Sequence, residues 1–130
     1  MQATFRKHER LTGRDRMKKV AVTGKVVKAH PFRLAGLQLP LDTAAPAQVA
    51  FAVPKRHVRS AVQRNRIRRH MREAYRLNKH RWYARLRENG VQCAWLVVFH
   101  GQAPLPWADS SRILIGLFDR WVQQHVGPDR

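Results

Sequence analysis

Residues 63–76 of the chain read QRNRIRRHMREAYR, a stretch with six arginines and a single acidic residue, Glu73. On a helical wheel at about 100° per residue, its basic and apolar residues separate onto different sides. We therefore predict a helix over 63–78 that packs an apolar stripe against the rest of the protein and exposes guanidinium groups. The predicted stripe comprises Ile67, Met71, Ala74 and Leu77, and the predicted exposed arc comprises Arg64, Arg68, Arg72, Asn65, Arg76 and Arg69.

Three segments on either side of this helix have the residue patterns of β-strands. FRLAGLQLPL, residues 32–41, alternates apolar with other residues and predicts a half-buried strand. VAFAVP, residues 49–54, predicts a second strand that its proline closes. CAWLVVFH, residues 93–100, is a continuous apolar run, which is typical of a central strand covered on both faces.

A first helix is predicted from Thr12 to Thr23. Thr12 and Asp15 have the spacing of an N-cap and its partner in a variant capping box, and Gly24 is a typical C-terminal stop. One side of this helix is apolar and is expected to face the sheet. That side comprises Met17, Val20 and Ala21.

Two further helices are predicted after the basic one. RWYARLREN, residues 81–89, indicates a separate short helix, and Asp109 or Ser110 is expected to cap a last one. The order helix, strands, helix, strand, helix predicts a single α+β domain over 1–130, a two-layer α/β sandwich. The apolar face of the last helix comprises Ile113, Leu117, Trp121, Leu114 and Phe118.

The charge of the chain predicts a polyanionic partner. Lysine and arginine number 26 against 8 acidic residues, which gives a net charge of +18 in 130 residues. Residues 1–80 hold 20 of the 26 bases, so the excess is concentrated there. Nucleic acid and, less favoured, an anionic membrane surface are the partners that balance such a charge.

The type of basic residue narrows this choice. Arginine dominates over lysine in the helix, and its planar fork suits bidentate contacts to phosphate and stacking on exposed bases. A DNA-reading helix would normally belong to a helix-turn-helix scaffold, whereas here it lies between strands. An α/β sandwich leaves a sheet face or cleft free for a single strand, so RNA is favoured over DNA.

Catalysis by the protein itself is not expected. The acidic residues are scattered along the chain, whereas acid–base or two-metal hydrolysis needs them clustered. The seven histidines lack the spacing of a zinc site. His57 and His70 are predicted to extend the basic surface. The four tryptophans, Trp82, Trp95, Trp107 and Trp121, are mostly assigned to core packing.

The expected compartment is the cytoplasm. The one cysteine, Cys93, allows no disulfide within the chain, which fits a reducing environment. The opening MQATFRKHERL has no apolar segment of the kind that secretory signals carry. No run approaches the ~20 apolar residues of a membrane span, so no membrane partner is expected.

The segment VPKRHVRSAVQRNRIRRHMREAYR, residues 53–76, resembles the most specific motif of the bacterial ribonuclease P protein family. The matching residues are Lys55-Arg56 after a strand, Arg64-Asn65-Arg66, Arg68-Arg69, and Arg72-Glu73-Ala74-Tyr75-Arg76. Residues 5–34 resemble the opening of that family. The resemblance covers about residues 5–122 and leaves 123–130 as a tail.

This resemblance implies the order α-β-β(-β)-α-β-α, with a small mixed sheet like that of the second domain of ribosomal protein S5. The crossover through the basic helix would be left-handed, an exception to the usual rule. The resemblance also implies a ribonucleoprotein in which a catalytic RNA, with Mg²⁺ at its own active site, removes the 5′ leader of precursor tRNA. The protein would then have no catalytic residue, metal, cofactor or small-molecule substrate. A structural ribosomal or RNA-chaperone protein on this fold, and a basic DNA-binding module, stay open as alternatives.

Two RNA-contacting surfaces follow from the resemblance. A cleft between the first helix and the sheet would hold the leader as a single strand, with Met17 and Ala21 where the family usually has aromatic residues. The residues expected to line this cleft are Phe5, Arg10, Met17, Phe32 and Phe51. The residues expected to bind the catalytic RNA are Lys55, Arg56, Arg64, Asn65, Arg66, Arg68, Arg69, Arg72 and Arg76.

Overall fold

The arginine-rich stretch lies in the longest element of the protein, a helix of 28 residues. The structure is a computed structural model and describes residues 4–126. It confirms the predicted α+β class. After a short 3-10 turn at Lys7–Glu9, the elements are α1 (Arg14–Thr23), β1 (Lys25–Ala29), β2 (Phe32–Gln38), β3 (Ala47–Ala52), α2 (Ala61–Glu88), β4 (Cys93–Phe99) and α3 (Trp107–His125).

The four strands form one mixed sheet in the order β1-β2-β4-β3. Strand β2 is antiparallel to both β1 and β4, and β3 is parallel to β4. The parallel pair is joined by α2, which makes this helix the crossover connection. The left hand of that crossover stays a prediction from the family resemblance.

The sheet is covered on both faces, and the two sets of β4 side chains enter different clusters. Trp95 and Val97 belong to the main core, which α2 and α3 cover. Ala94 and Leu96 belong to a smaller cluster with Val20 of α1. This confirms the prediction that β4 is a central strand buried on both sides. Helix α1 therefore adds a partial third layer to the predicted two.

The predicted start of α1 is wrong in detail. The helix begins at Arg14, and its N-cap is Gly13, whose φ of 95° turns the chain into the helix. No side chain caps this end, so Thr12 and Asp15 do not form the predicted capping box. The physical reason is that a glycine with positive φ makes the turn that a side-chain cap would otherwise stabilise. Gly24 is the C-cap, as predicted.

Helix α2 is continuous, whereas two helices were predicted over 63–78 and 81–89. Its second half stays helical because it buries Lys79, Trp82, Tyr83 and Leu86 against the core and α3. The first half buries Ile67, Met71 and Ala74 as predicted. Leu77 is 43% exposed, so its assignment to the buried stripe is wrong, and Tyr75 fills that role at 1% exposure. Tyr75 belongs to the buried stripe because its ring packs against Trp95 of β4 and Phe118 of α3.

Helix α3 begins at Trp107 after Pro106, and not after Asp109 or Ser110 as predicted. The proline supplies the turn, and Asp109 lies in the first helical turn. The predicted apolar face is confirmed, with four of its residues fully buried: Leu114, Leu117, Phe118 and Trp121. Of the four tryptophans, three are buried, as the prediction of core packing for most of them requires, and Trp107 is 39% exposed.

The first residues of the predicted tail over 123–130, residues 123–126, belong to the folded part of the chain. Helix α3 continues to His125, and Val126 is buried. Residues 127–130 lie outside the described part of the chain. Within residues 4–126, no helix combines the length and the apolar character needed to cross a membrane.

Candidate nucleic-acid interface

The predicted basic surface exists on the outer side of α2 and on the turn before it. We call it the guanidinium face, and it comprises Lys55, Arg56, Arg64, Asn65, Arg66, Arg68, Arg69, Arg72 and Arg76. Arg64, Arg68 and Arg76 are half-buried, and the others are exposed. None of the nine side chains is buried in the core, so the helix and the turn before it leave them accessible at the surface.

The carboxylates of the protein neutralise little of this face. Among residues 4–126, the ion pairs join Arg16 to Asp42, Arg76 to Glu73, Lys79 to Glu9, Arg81 to Asp119 and Arg112 to Asp109. Only the second of these pairs lies on the guanidinium face. Hydrogen bonds from the Arg76 guanidinium hold the pKa of Glu73 below its ordinary value. The remaining arginines keep an unbalanced positive charge.

Two arginines of the face also organise the chain locally. The Arg64 guanidinium donates hydrogen bonds of 3.0 and 2.8 Å to the carbonyl oxygens of Val58 and Arg59. The Arg68 guanidinium donates to the Asn65 side-chain oxygen over 2.8 Å. Arg64 therefore holds the segment that links the turn with Lys55 and Arg56 to α2, and the hydrogen bonds of both arginines restrict the freedom of their side chains.

Three of the five predicted cleft residues lie together beside the edge strand β3. The rings of Phe5 and Phe51 are 6.1 Å apart, and each is 5.8 Å from the ring of Tyr75 beneath them. The Arg10 guanidinium lies 5.3 Å from the centre of the Phe5 ring. Both phenylalanines are half-buried, so this group offers an aromatic edge and a cation at the surface.

The other two predicted cleft residues lie elsewhere. Phe32 is 2% exposed and packs edge to face on Phe99, so it is a core residue and offers no ring to a ligand. Met17 lies on the opposite face of the sheet, in the α1 cluster. The five residues therefore do not form one cleft. A strand exposes alternate residues on opposite faces, and the sequence pattern did not show which face α1 would cover.

A second basic surface lies at the open end of the sheet on the α1 side, and sequence analysis missed it. Arg33 points away from the core because its neighbour Phe32 points into it. In the strand register Arg33 pairs with Lys28 on β1 and with Val98 on β4, and Val98 pairs with Ala52 on β3. We call this surface the α1 groove, and it comprises Lys28, Arg33, Val98 and Ala52 of the strands together with Met17 and Ala21 of α1. The alternation along β2 could have placed Arg33 there.

The end of the α1 groove carries two histidines. The rings of His57 and His100 are 5.5 Å apart. Burial, and then the charges of His57, Arg33, Arg56 and Lys28, lower the pKa of His100 below its ordinary value. His57 Nε2 is buried and has no hydrogen-bond partner among the described residues. The site therefore gathers hydrogen-bonding rings and cations with which an anion would pair.

A buried polar cluster holds the N-terminal segment on α2. The Lys79 ammonium donates hydrogen bonds to the Thr4 carbonyl oxygen and to the Glu9 carboxylate. The Tyr83 hydroxyl donates to the same Glu9 oxygen over 2.8 Å and lies 2.8 Å from the Tyr75 hydroxyl. Burial raises the pKa of Glu9, but these hydrogen bonds and one from a backbone N–H outweigh it and lower the pKa overall. This cluster positions Phe5 and Arg10.

Metal-ligating side chains are dispersed in the described part of the chain. No group of three or more His, Cys, Asp and Glu residues there is placed to hold a metal ion. Cys93 is buried, and burial raises the pKa of its thiol to about 12. Its thiol is therefore protonated at neutral pH and acts as a small apolar group.

Fold and surface together define a class of protein: a basic α+β sandwich whose parallel strands are joined by a helix with an outward guanidinium face. The family model described as Ribonuclease P matches residues 5–114. The chain belongs to the ribonuclease P protein family.

Individual relatives agree with this assignment. The ribonuclease P protein component of Porphyromonas gingivalis strain ATCC 33277 is 42% identical over 80 residues, which cover 60% of this chain and 58% of that protein. That of Chlorobium phaeobacteroides is 42% identical over 79 residues, 58% of this chain and 54% of that protein. In both, the match spans little more than half of the relative. The component of Syntrophobacter fumaroxidans is 32% identical over 114 residues, 88% of each chain.

Solved structures agree in fold. The ribonuclease P protein of Staphylococcus aureus matches with a TM-score of 0.69 at 16% identity, over 88% of this chain and 95% of that chain. The protein of Thermotoga maritima matches with a TM-score of 0.67 at 19% identity, over 86% of this chain and 96% of that chain. At these identities the likeness concerns the fold alone.

Proposed function

We propose that this protein is the protein subunit of ribonuclease P, which binds the catalytic RNA and the 5′ leader of precursor tRNA while the RNA cleaves. The observation that carries the proposal is the unbalanced guanidinium face. Its exposed Arg66, Arg69 and Arg72 have no carboxylate partner among residues 4–126. An RNA backbone supplies the missing charge, and its phosphates match the guanidinium fork.

The two basic surfaces suggest a division of labour. The guanidinium face on α2 would bind the folded catalytic RNA. The α1 groove, with Lys28 and Arg33 at its end, would hold the leader as a single strand, and its apolar side chains would contact the bases. Two RNAs repel one another through their phosphates, and a protein of charge +18 placed between them reduces that repulsion.

The chemistry in this proposal belongs to the RNA. Mg²⁺ would act at the RNA active site, and the protein would contribute binding, charge and positioning. No protein side chain is assigned a catalytic role. The protein would therefore lower the Mg²⁺ concentration that cleavage requires without itself breaking a phosphodiester bond.

Reconstitution tests this proposal directly. The purified protein is added to a bacterial ribonuclease P RNA at low Mg²⁺ with end-labelled precursor tRNA, and release of the leader is measured. We expect a large stimulation of cleavage and no cleavage by the protein alone. Failure to stimulate would reject the proposal, as would RNA-free cleavage. Equal affinity for random duplex DNA and for this RNA would favour a general nucleic-acid-binding protein.

The Arg72→Ala variant is expected to weaken binding to the catalytic RNA by about 1 kcal/mol, roughly fivefold, and to lower the slope of log K against log salt by about one charge. Arg72 makes no side-chain hydrogen bond within residues 4–126, so its loss should leave the free energy of unfolding nearly unchanged. Filter binding at several salt concentrations measures both quantities.

Arg81→Ala is the matched control for this measurement. Arg81 is on the same helix, but its guanidinium is paired with Asp119 at 2.9 Å, away from the guanidinium face. Its removal should change the RNA affinity and the salt slope much less. Equal effects of the two substitutions would mean that net charge alone governs binding, and the assignment of the face would then be wrong.

The Arg33→Ala variant should lower affinity for precursor tRNA while leaving assembly with the catalytic RNA intact. Arg33 lies in the α1 groove and not on α2, so we expect a roughly fivefold loss for a substrate with a leader and no loss for mature tRNA. Affinities of the reconstituted holoenzyme for both tRNAs test this. A loss of assembly would show that the two surfaces are assigned the wrong way round.

A further inference from the structure

One tryptophan differs from the other three in its exposure. Trp82, Trp95 and Trp121 are at most 2% exposed, whereas Trp107, the first residue of α3, is 39% exposed. It is the one aromatic side chain among the exposed large apolar residues of the described chain. Trp107 therefore keeps a large part of its indole accessible at the surface, where a ligand could contact it.

The surroundings of Trp107 are cationic. Its ring packs edge to face on His70 of α2, with ring centres 5.5 Å apart and planes at 67°. Arg66 lies one helical turn before His70 on α2, and Arg69 directly precedes it. On the α3 side, the nearby carboxylate of Asp109 is paired with an arginine at 3.3 Å. The indole thus adjoins the guanidinium face.

Such an arrangement has the chemistry of a base-binding site. An exposed indole face attracts an unpaired nucleobase, because every base has a π-face, and neighbouring cations bind its phosphates. A paired base would not fit this role, because its faces are already stacked within the duplex. His70 holds the indole from one side through ring packing, so the ring is oriented before the partner arrives.

We propose that Trp107 is a stacking platform for one unpaired base of the catalytic RNA, with Arg66 and Arg69 binding the adjacent phosphates. This inference rests on the proposed function, because it takes the RNA partner from there. It extends the RNA-binding surface from α2 onto the start of α3. It also gives a role to His70, which orients the indole without contacting the RNA base.

Intrinsic fluorescence tests the platform in the intact holoenzyme, because Trp107 is the one exposed tryptophan of the four. In the free protein, acrylamide should quench a part of the emission that is absent from the Trp107→Phe variant. Saturation with the catalytic RNA should quench that same part and protect it from acrylamide. Accessibility of Trp107 to acrylamide in the saturated complex would overturn the proposal.

Affinity measurements separate stacking from general apolar contact. Trp107→Ala should lower the affinity for the catalytic RNA by roughly 5- to 100-fold, the range typical of base–aromatic stacking, and Trp107→Phe should retain most of it. Leu77→Ala removes a similarly exposed apolar side chain of α2 without a π-face and should have no effect. Equal losses for Leu77 and Trp107 would indicate a general apolar contact, and no loss for Trp107→Ala would reject the platform.

These outcomes also separate a failure of the stacking platform from a failure of the proposed function on which it rests. If the wild-type protein binds the RNA and Arg72→Ala weakens it while Trp107→Ala does not, the platform is wrong and the proposed function stands. If the wild-type protein neither binds nor stimulates the RNA, the proposed function fails and the platform with it. Thermal unfolding of the Trp107 variants shows whether a loss of affinity comes from loss of the fold, because part of the indole packs on His70.

Discussion

Gly36→Ala is expected to destabilise the protein by about 3 kcal/mol, the upper range for overpacking a tight core. Gly36 lies in β2 between Lys25 of β1 and Trp95 of β4. A Cβ atom there would lie 2.5 Å from Trp95 Cδ1 and would also overlap the ring of Trp121. The Trp121 ring has little freedom to retreat, because its N–H donates a 2.9 Å hydrogen bond to the Lys25 carbonyl oxygen.

The same substitution at another glycine gives the control. Gly116 lies in α3, and a Cβ atom there would meet nothing within 4 Å. Gly116→Ala should therefore stabilise the protein by about 0.5–1 kcal/mol through helix propensity. Urea unfolding of both variants, followed by far-UV circular dichroism, measures the two changes. Similar effects at the two positions would contradict the close approach of Trp95 and Trp121 to Gly36.

The fold was predictable wherever local pattern alone determines an element. The continuous apolar run at 93–100 predicts a central strand, and the buried side of α2 was predicted from the spacing of Ile67, Met71 and Ala74. Strand β1 was not predicted, because KVVKA is short, carries a lysine at each side of its apolar pair, and forms the edge of the sheet. Its strand structure depends on antiparallel pairing with β2, which follows after residues 30–31, more than on its own residue pattern.

The second half of α2 shows a different limit of prediction from local sequence. A lysine in a helix is normally read as exposed, yet Lys79 is buried because Glu9, 70 residues away, supplies its counter-charge. No local pattern contains that information. The guanidinium face, by contrast, depends only on spacing within one helix, so it was found from the sequence. The five residues predicted to line one cleft do not lie together, since their positions depend on which strand face each helix covers.

Lys79→Met is expected to destabilise the protein by about 3–4 kcal/mol, because it leaves the Glu9 carboxylate buried without its counter-charge. Glu9 is 4% exposed, and the remaining Tyr83 hydrogen bond does not replace an ammonium. The loss should also release the segment that carries Phe5. Lys18→Met, at an exposed position of α1, is the control and should change the free energy of unfolding by less than about 0.5 kcal/mol.

The pH dependence of this effect has a defined sign. In the wild type, the folded-state pKa of Glu9 lies below its ordinary value of 4.5, so the cluster stabilises the protein above that pH and loses its contribution as the pH falls through the folded pKa. In Lys79→Met, burial without the ammonium should raise the folded-state pKa of Glu9. Lowering the pH then protonates the buried carboxylate and restores part of the variant's stability. The difference in unfolding free energy should therefore be largest near pH 7 and begin to shrink as the pH falls through the variant's raised folded-state pKa. It should shrink further below about pH 4.5, where the wild type loses its own contribution. Glu9→Gln combined with Lys79→Met should recover part of the stability at pH 7, because the buried charge is gone. A loss of stability that does not depend on pH and is not reduced in the double variant would contradict the buried ion pair. The loss would then come from packing.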